Sequence, residues 1–265
     1  MYDKRIAKYL VKIANSDAIN FATFLTFLPE SLQEDVQHNV TIKPQKGGLS
    51  LVEISCKRVN EQLKQLTIEP NNRVEATELG DSHKVNTSTS YLLAYHENSN
   101  SIHPDTIVIN IDGINCKFKQ KQHVIIVENS ELFFAREIML EKINLIFGLK
   151  LSLKNTDLLY GSGNQVTNKL NKEFLSQYES TLCFFDYDLG GLKIFKALKN
   201  MLGEKAKFLE PSSGNLRKYF IKKPEKESQY LKALTSAEEL GLMTLHSLLL
   251  SETAFMEQEV ILAFE

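Results

Sequence analysis

The chain has 265 residues, of which 43% are apolar and 24% are charged, a composition typical of a globular protein with one large or two small domains. No apolar run approaches the ~18 residues of a membrane helix, and the charged N-terminus lacks the apolar core of a signal peptide, so we expect a cytoplasmic protein with no membrane contact. A formal net charge of −2 excludes the strongly basic balance of a dedicated DNA-binding domain, and three widely spaced cysteines indicate neither a zinc site nor a disulfide framework.

The N-terminal half mixes short helical and strand patterns. Ile6, Leu10 and Ile13 recur at helical spacing, and "IKPQKGGLSLVEIS" indicates two short strands around a Lys-Gly-Gly turn. A further helix is predicted over "SCKRVNEQLKQL". A helix, a hairpin and another helix suit an α+β winged-helix-like module that binds DNA or a partner. The polar stretch 96–105 is the expected linker, which gives domains over residues 1–105 and 106–265.

The C-terminal half alternates strands and helices regularly. The predicted strands are "HVIIVEN", "DLLYGSGN", "TLCFFDYD" and "AKFLEP". The predicted helices between them are "SELFFAREIMLEKINLIFG", "QVTNKLNKEFLSQY" and "GGLKIFKALKNML". This alternation predicts an α/β fold, a Rossmann-like parallel sheet flanked by helices on both faces. Two C-terminal helices complete it, the first opened by a capping box from Thr235 to Glu238.

Basic residues recur at regular spacing in three places. They are Lys117, Lys119 and Lys121 along a predicted strand, Lys193, Lys196 and Lys199 on a predicted helix, and the cluster Arg217, Lys218, Lys222, Lys223 and Lys226. Each set alone is typical of a solvated face. If the three sets surround the acidic residues described next, together they favour contact with phosphate groups.

Acidic residues and glycines follow three of the predicted strands. Glu128 ends the first, Gly161-Ser162-Gly163 ends the second, and Asp186 and Asp188 end the third. Because ligands of an open parallel sheet bind beyond the carboxyl ends of its strands, neighbouring strands would bring three carboxylates together. Oxygen ligands of this kind select Mg²⁺ or Mn²⁺, and such a cation would offset the mutual repulsion of the acids.

Simpler roles exist for the same residues. An aspartate at a strand end is common as a helix N-cap, and Glu131 at the start of a helix complements the helix dipole. The candidates for phosphate or DNA contact are the flexible turn and the basic helix, namely Gly161, Ser162, Gly163, Lys193 and Lys196.

The order of these strand ends resembles a known catalytic domain. "VIIVEN", "LLYGSGN" and "CFFDYDLGGLKIF" resemble the successive strand ends of the Toprim domain of topoisomerases, primases and some nucleases. They look most like the A subunit of topoisomerase VI and the nuclease subunit JetD of Wadjet-type plasmid-defence systems. "MEQEV", near the C-terminus, is similar to a Glu-Gln-Glu stretch of JetD-like proteins, and the resemblance covers about residues 120–262.

The resemblance implies roles for individual residues. Glu128 would be the motif glutamate, acting as a metal ligand or general acid/base, and Asp186 and Asp188 would be metal ligands. Glu257 and Glu259 are weaker ligand candidates, for which an exposed helix surface is an equal alternative. The implied function is a metal-dependent DNA endonuclease in a bacterial anti-plasmid or anti-phage complex. Its expected partners are DNA, a second copy of the chain and an SMC-like ATPase. The ATPase must be a separate protein, because this chain has no P-loop motif.

Three alternatives stay open. A topoisomerase-like enzyme would need a tyrosine nucleophile, and Tyr91 and Tyr95, expected to share one helical face, suit packing better. A haloacid-dehalogenase-like phosphatase also uses Asp-x-Asp, but in an early strand followed by Gly-Thr, whereas Leu-Gly-Gly follows Asp188 here. A non-catalytic subunit that binds DNA or a partner is the third alternative.

Overall fold

The computed structural model of the chain describes residues 3–70, 73–78, 87–210 and 214–264. It forms two compact units, Met1–Ser88 and Thr89–Glu265. The predicted boundary at residue 105 is misplaced, because a strand that begins at Thr89 belongs to the sheet of the second unit. The polar stretch predicted as a linker instead connects two antiparallel strands of that sheet.

The first unit combines helices with one hairpin. Its elements are α1 (Lys4–Ala14), α2 (Phe21–Leu25), α3 (Glu30–His38), β1 (Val40–Pro44), β2 (Ser50–Ile54), α4 (Lys57–Gln65) and α5 (Arg73–Glu78). The hairpin turns at Lys46–Gly48, where Gly47 and Gly48 both have positive φ, as the Lys-Gly-Gly pattern predicts. A small apolar core holds the unit together, and it includes Ile6, Phe24, Val36, Val59 and Leu63. The winged-helix assignment stays a prediction.

The second unit is built on a seven-stranded mixed sheet in the order β5-β4-β3-β7-β6-β8-β9. The strands are β3 (Thr89–Tyr95), β4 (Asp105–Asn110), β5 (Gly113–Asn115), β6 (His123–Val127), β7 (Thr156–Tyr160), β8 (Ser180–Phe184) and β9 (Ala206–Phe208). β7, β6, β8 and β9 are parallel, as predicted. β3, β4 and β5 add an antiparallel edge, so the prediction of a wholly parallel sheet is wrong.

Helices cover this sheet and complete its core. They are α6 (Ser130–Phe134), α7 (Arg136–Phe147), α8 (Asn171–Ser176), α9 (Leu189–Leu202), α10 (Glu227–Glu239), α11 (Met243–Glu252) and α12 (Val260–Ala263). Residues 124–127 of β6 are fully buried, which explains the unbroken apolar run of this central strand. α9 buries the predicted stripe of Leu192, Phe195, Leu198 and Leu202. None of the helices in the described part of the chain is long and apolar enough to span a bilayer.

Four local predictions of the second unit are wrong. The helix predicted over residues 165–178 is a 3-10 turn followed by the short α8. Residues 117–121 lie outside any strand, between β5 and β6. Thr235 lies inside α10, where its hydroxyl donates to the Leu231 carbonyl over 3.1 Å, so it opens no helix. Tyr91 and Tyr95 lie on a strand, with Tyr95 buried and Tyr91 exposed.

Candidate functional site

The predicted strand ends lie side by side in the sheet. β6 lies between β7 and β8, all three parallel, and Val127 at the end of β6 pairs with both Tyr160 and Phe184. The residues that follow these strands therefore meet at one edge. We call Glu128, Asp186 and Asp188 the acidic cluster, since the charges of both aspartates act on the Glu128 carboxylate and raise its pKa.

Asp188 caps helix α9. Its Oδ1 accepts hydrogen bonds from the backbone N–H groups of Gly190 (2.7 Å) and Gly191 (3.0 Å). The simple interpretation of this aspartate as an N-cap is thus confirmed. Both hydrogen bonds use Oδ1, so they hold the Asp188 carboxylate in place at the start of α9.

The backbone of Asp186 is in close contact with the first turn of α9. A Cβ added at Gly191 would lie 2.1 Å from the Asp186 carbonyl oxygen, so a glycine is required there. Oδ1 of Asp186 accepts a 2.8 Å hydrogen bond from the Gln258 backbone. Burial, and then the charge of Asp188, raises the pKa of Asp186 to about 6 despite that hydrogen bond.

Glu128 carries the least satisfied carboxylate of the acidic cluster. Its Oε2 is buried and has no hydrogen-bond partner among the described residues. Burial raises the pKa of Glu128 to about 7, and the charges of Asp186 and Asp188 add to that rise. A buried, partnerless carboxylate oxygen beside two further acids is costly unless a proton or a cation compensates it.

The C-terminal "MEQEV" segment packs against the acidic cluster. The Tyr187 N–H donates to the Met256 carbonyl over 2.8 Å, which aligns this segment with the loop after β8. Gln258 is buried, its Oε1 accepts from the Glu128 backbone N–H over 3.3 Å, and its Nε2 has no partner within the described residues. The glutamates on either side of Gln258 therefore lie at the edge of the site.

Those two glutamates are engaged by neighbouring side chains. Glu257 forms an ion pair with Lys222, and Glu259 accepts a hydrogen bond from the side chain of Asn129. The pKa of Lys222 is raised, chiefly by its hydrogen bond to Glu257. The weaker ligand candidates thus reach the site, but with their carboxylates already paired.

Three contributors to the site escape sequence reasoning: Asn129, Lys222 and Gln258. For Asn129 the sequence indicates only a helix cap, a role it performs for α6. Lys222 lies in a basic cluster that predicts only phosphate contact. Gln258 gives no such signal, because an amide between two glutamates is typical of an exposed surface.

The residues predicted to contact phosphate differ in their exposure and in their partners. The Gly161-Ser162-Gly163 turn lies beside the end of β6, where the Gly161 N–H donates to the Val127 carbonyl over 2.7 Å and Ser162 is exposed with a φ of +45°. Lys193 is exposed on α9. Lys196 forms a 2.8 Å ion pair with Glu239 of α10, so its ammonium group is already paired within the protein.

No ready-made metal cluster is present: among residues 3–70, 73–78, 87–210 and 214–264, no group of three or more His, Cys, Asp or Glu side chains is arranged to hold an ion. The side chains of the acidic cluster nevertheless suit a hard divalent cation in their chemistry, since all three are carboxylates and the buried Oε2 of Glu128 has no partner among the described residues.

No protein-family model matches the chain, and no curated protein shows significant sequence similarity to it.

Proposed function

We propose that the second unit is a Toprim-type nuclease that hydrolyses DNA phosphodiester bonds with Mg²⁺ or Mn²⁺. One observation carries the proposal: the unpartnered buried Oε2 of Glu128 lies in an acidic cluster at the carboxyl ends of two adjacent parallel strands. Such an edge is where open α/β sheets bind ligands. The resemblance of the strand ends to the Toprim domain supports the same reaction.

Each residue of the acidic cluster has a proposed part. Asp186 and Asp188 would hold the cation, which when bound would neutralise charge and polarise a phosphodiester oxygen. Glu128, with a pKa of about 7, would complete the ligand set or take a proton from the attacking water at Oε2. The exposed Lys193 and the Gly-Ser-Gly turn would contact neighbouring phosphates. Glu257 and Glu259 would position Lys222 and Asn129.

The wider setting rests on the sequence resemblance alone. It includes DNA as substrate, a homodimer, an SMC-like ATPase and a role in anti-plasmid or anti-phage defence. The first unit would engage DNA or a partner as a winged-helix-like module, and its helix–hairpin–helix order supports that assignment.

The test is cleavage of supercoiled plasmid in EDTA, Mg²⁺ or Mn²⁺, by the unaltered chain, Asp186→Ala and the control Glu141→Gln, which removes an exposed carboxylate of α7. Nicked or linear product only with metal, from the unaltered chain and the control alone, is expected. Product that enters a gel only after protease treatment would instead support a covalent tyrosine intermediate. Absence of cleavage by the full chain would count against a self-sufficient nuclease.

A further inference from the structure

A basic cleft lies at the other end of the parallel strands. It has a volume of about 700 Å³ and opens at the amino ends of β6 and β7, lined by His123, Thr156 and several lysines. The five residues of β6 each advance ~3.3 Å, so the cleft lies on the order of 15 Å from the acidic cluster. The two sites therefore use opposite edges of one sheet.

One wall of the cleft is the segment between β5 and β6, which is fixed by contacts from distant residues. The buried carboxylate of Asp157 accepts from the Lys121 backbone N–H over 2.9 Å, and Gln120 donates from its side chain to the Phe174 carbonyl over 3.3 Å. These contacts hold the backbone in place, while Lys119 extends to solvent.

The opposite wall is the loop between α7 and β7. Asn144 makes two hydrogen bonds to the backbone of Leu151, one donated over 2.8 Å and one accepted over 2.7 Å. Asn155 donates to the Lys150 carbonyl over 2.9 Å. Lys150 and Lys154, both exposed, are therefore carried by a loop of defined conformation.

The cleft concentrates positive charge in a chain whose net charge is −2. Four lysines line it, namely Lys119, Lys121, Lys150 and Lys154. Its acidic lining residue is Glu97, which is ion-paired with Lys121. The other three lysines form no ion pair with any described residue. Three cations without an ion-pair partner across a concave surface favour a ligand with several negative charges.

An aromatic ring lies among these lysines. Phe118 stacks on His96 with a centroid distance of 4.1 Å and an interplanar angle of 11°. His96 is buried and held by Asp105, with 2.7 Å between Nε2 and Oδ2, whereas Phe118 is only half-buried and lines the cleft. A supported, partly open ring beside cations is the arrangement on which unpaired bases stack.

We propose that this cleft binds single-stranded nucleic acid, with phosphates on Lys119, Lys150 and Lys154 and a base against Phe118. A duplex keeps its bases stacked inside, so it could use the lysines but not the ring. The proposal concerns binding without metal, and it stands or falls separately from catalysis at the acidic cluster.

The test is fluorescence anisotropy of a labelled 12-residue oligo-dT with the full chain in EDTA, over a series of NaCl concentrations. The double variant Lys150→Gln/Lys154→Gln should bind roughly tenfold more weakly, and the log–log salt slope should fall by about 1.4, at ~0.7 per phosphate contact. Phe118→Leu keeps apolar volume but removes the ring, so it should weaken binding about fivefold or more. The control Lys207→Gln/Lys232→Gln removes two exposed lysines elsewhere.

Several outcomes would overturn the assignment. Equal losses in the cleft and control double variants would show only non-specific attraction. Unchanged affinity in Phe118→Leu, or tighter binding of duplex than of single strand, would exclude a base on the ring. Displacement of the oligonucleotide by an equal concentration of dTMP would identify a mononucleotide site. Strand binding without plasmid cleavage would leave this proposal intact while the nuclease proposal fails.

Discussion

Replacing Asp186 by asparagine should stabilise the metal-free protein at neutral and alkaline pH. Within the fold, the pKa of Asp186 rises from its ordinary value of 3.8 to about 6, because burial and nearby acids disfavour its charge. A raised acid pKa means that the folded state holds its proton longer than the unfolded state. Stability is therefore complete below about pH 4, falls as pH rises through 6, and stays reduced above it.

The size of the effect follows from the same shift. A rise from 3.8 to about 6 corresponds to ~3 kcal/mol at full ionisation. The amide introduced by Asp186→Asn would keep an oxygen to accept from the Gln258 N–H while the charge is lost. For a unit of this size, ~3 kcal/mol is a rise of roughly 6–12 °C in Tm.

The assay is urea and thermal unfolding in EDTA between pH 4 and 8, for the unaltered chain, Asp186→Asn and the exposed-carboxylate control Glu141→Gln. The gain of Asp186→Asn should be near zero at pH 4 and largest at pH 8, while the control stays within ~0.5 kcal/mol throughout. A variant that is no more stable than the unaltered chain at pH 8, or a gain that does not change with pH, would refute the account of the acidic cluster.

Three further predictions concern residues that surround the acidic cluster. Gly191→Ala should lower the free energy of unfolding in urea by ~1–3 kcal/mol or more, because its Cβ would overlap the Asp186 backbone. Gly190→Ala should lower it clearly less, because its Cβ would meet only the Asp188 side chain at 3.1 Å. Equal losses in the two variants would contradict this. Gln258→Glu places a fourth carboxylate against the acidic cluster, so its destabilisation should grow from pH 5 to pH 8, whereas a loss independent of pH would indicate a packing effect only. Lys222→Gln should lower the free energy of unfolding at pH 8 by no more than ~1 kcal/mol, because the ion pair of Lys222 with Glu257 is partly exposed. Lys223→Gln is the matched control. Identical unfolding curves for the two variants would show that the ion pair contributes nothing to stability.

The parallel half of the sheet could be predicted from sequence because its signals are local. The apolar run of β6, the stripe of α9 and the acids after β6 and β8 depend on neighbours in the chain. Strands that follow one another in the chain usually lie side by side, so the adjacency of β6 and β7 could be predicted. The position of β8 beside β6 rather than β7 could not, and the acidic cluster forms because of that position.

The errors arise where distant residues decide the local structure. Lys117–Lys121 alternates like a strand, yet Asp157 and Phe174 bind this segment through side-chain hydrogen bonds instead of a strand partner. The strand Thr89–Tyr95 exists because β4 and β7 pair with it, and nothing within residues 89–95 reveals those partners.

The buried support of the site is equally non-local. Gln258 contacts Glu128 and Asp186 from a distant part of the chain, and the pairing of Lys222 with Glu257 depends on the same return of the C-terminal segment to the sheet. Periodicity carries no information about such contacts. In the sequence, only the resemblance of "MEQEV" to a stretch of another protein family names its glutamates as ligand candidates.

Calorimetric titration of Mn²⁺ into the full chain at pH 8, beside Asp186→Asn and Glu141→Gln, tests most directly whether the acidic cluster is a metal site. We expect saturable binding by the unaltered chain and the control, and at least tenfold weaker binding by Asp186→Asn. Equal affinity in all three proteins, or no binding by the unaltered chain, would contradict the metal-dependent account.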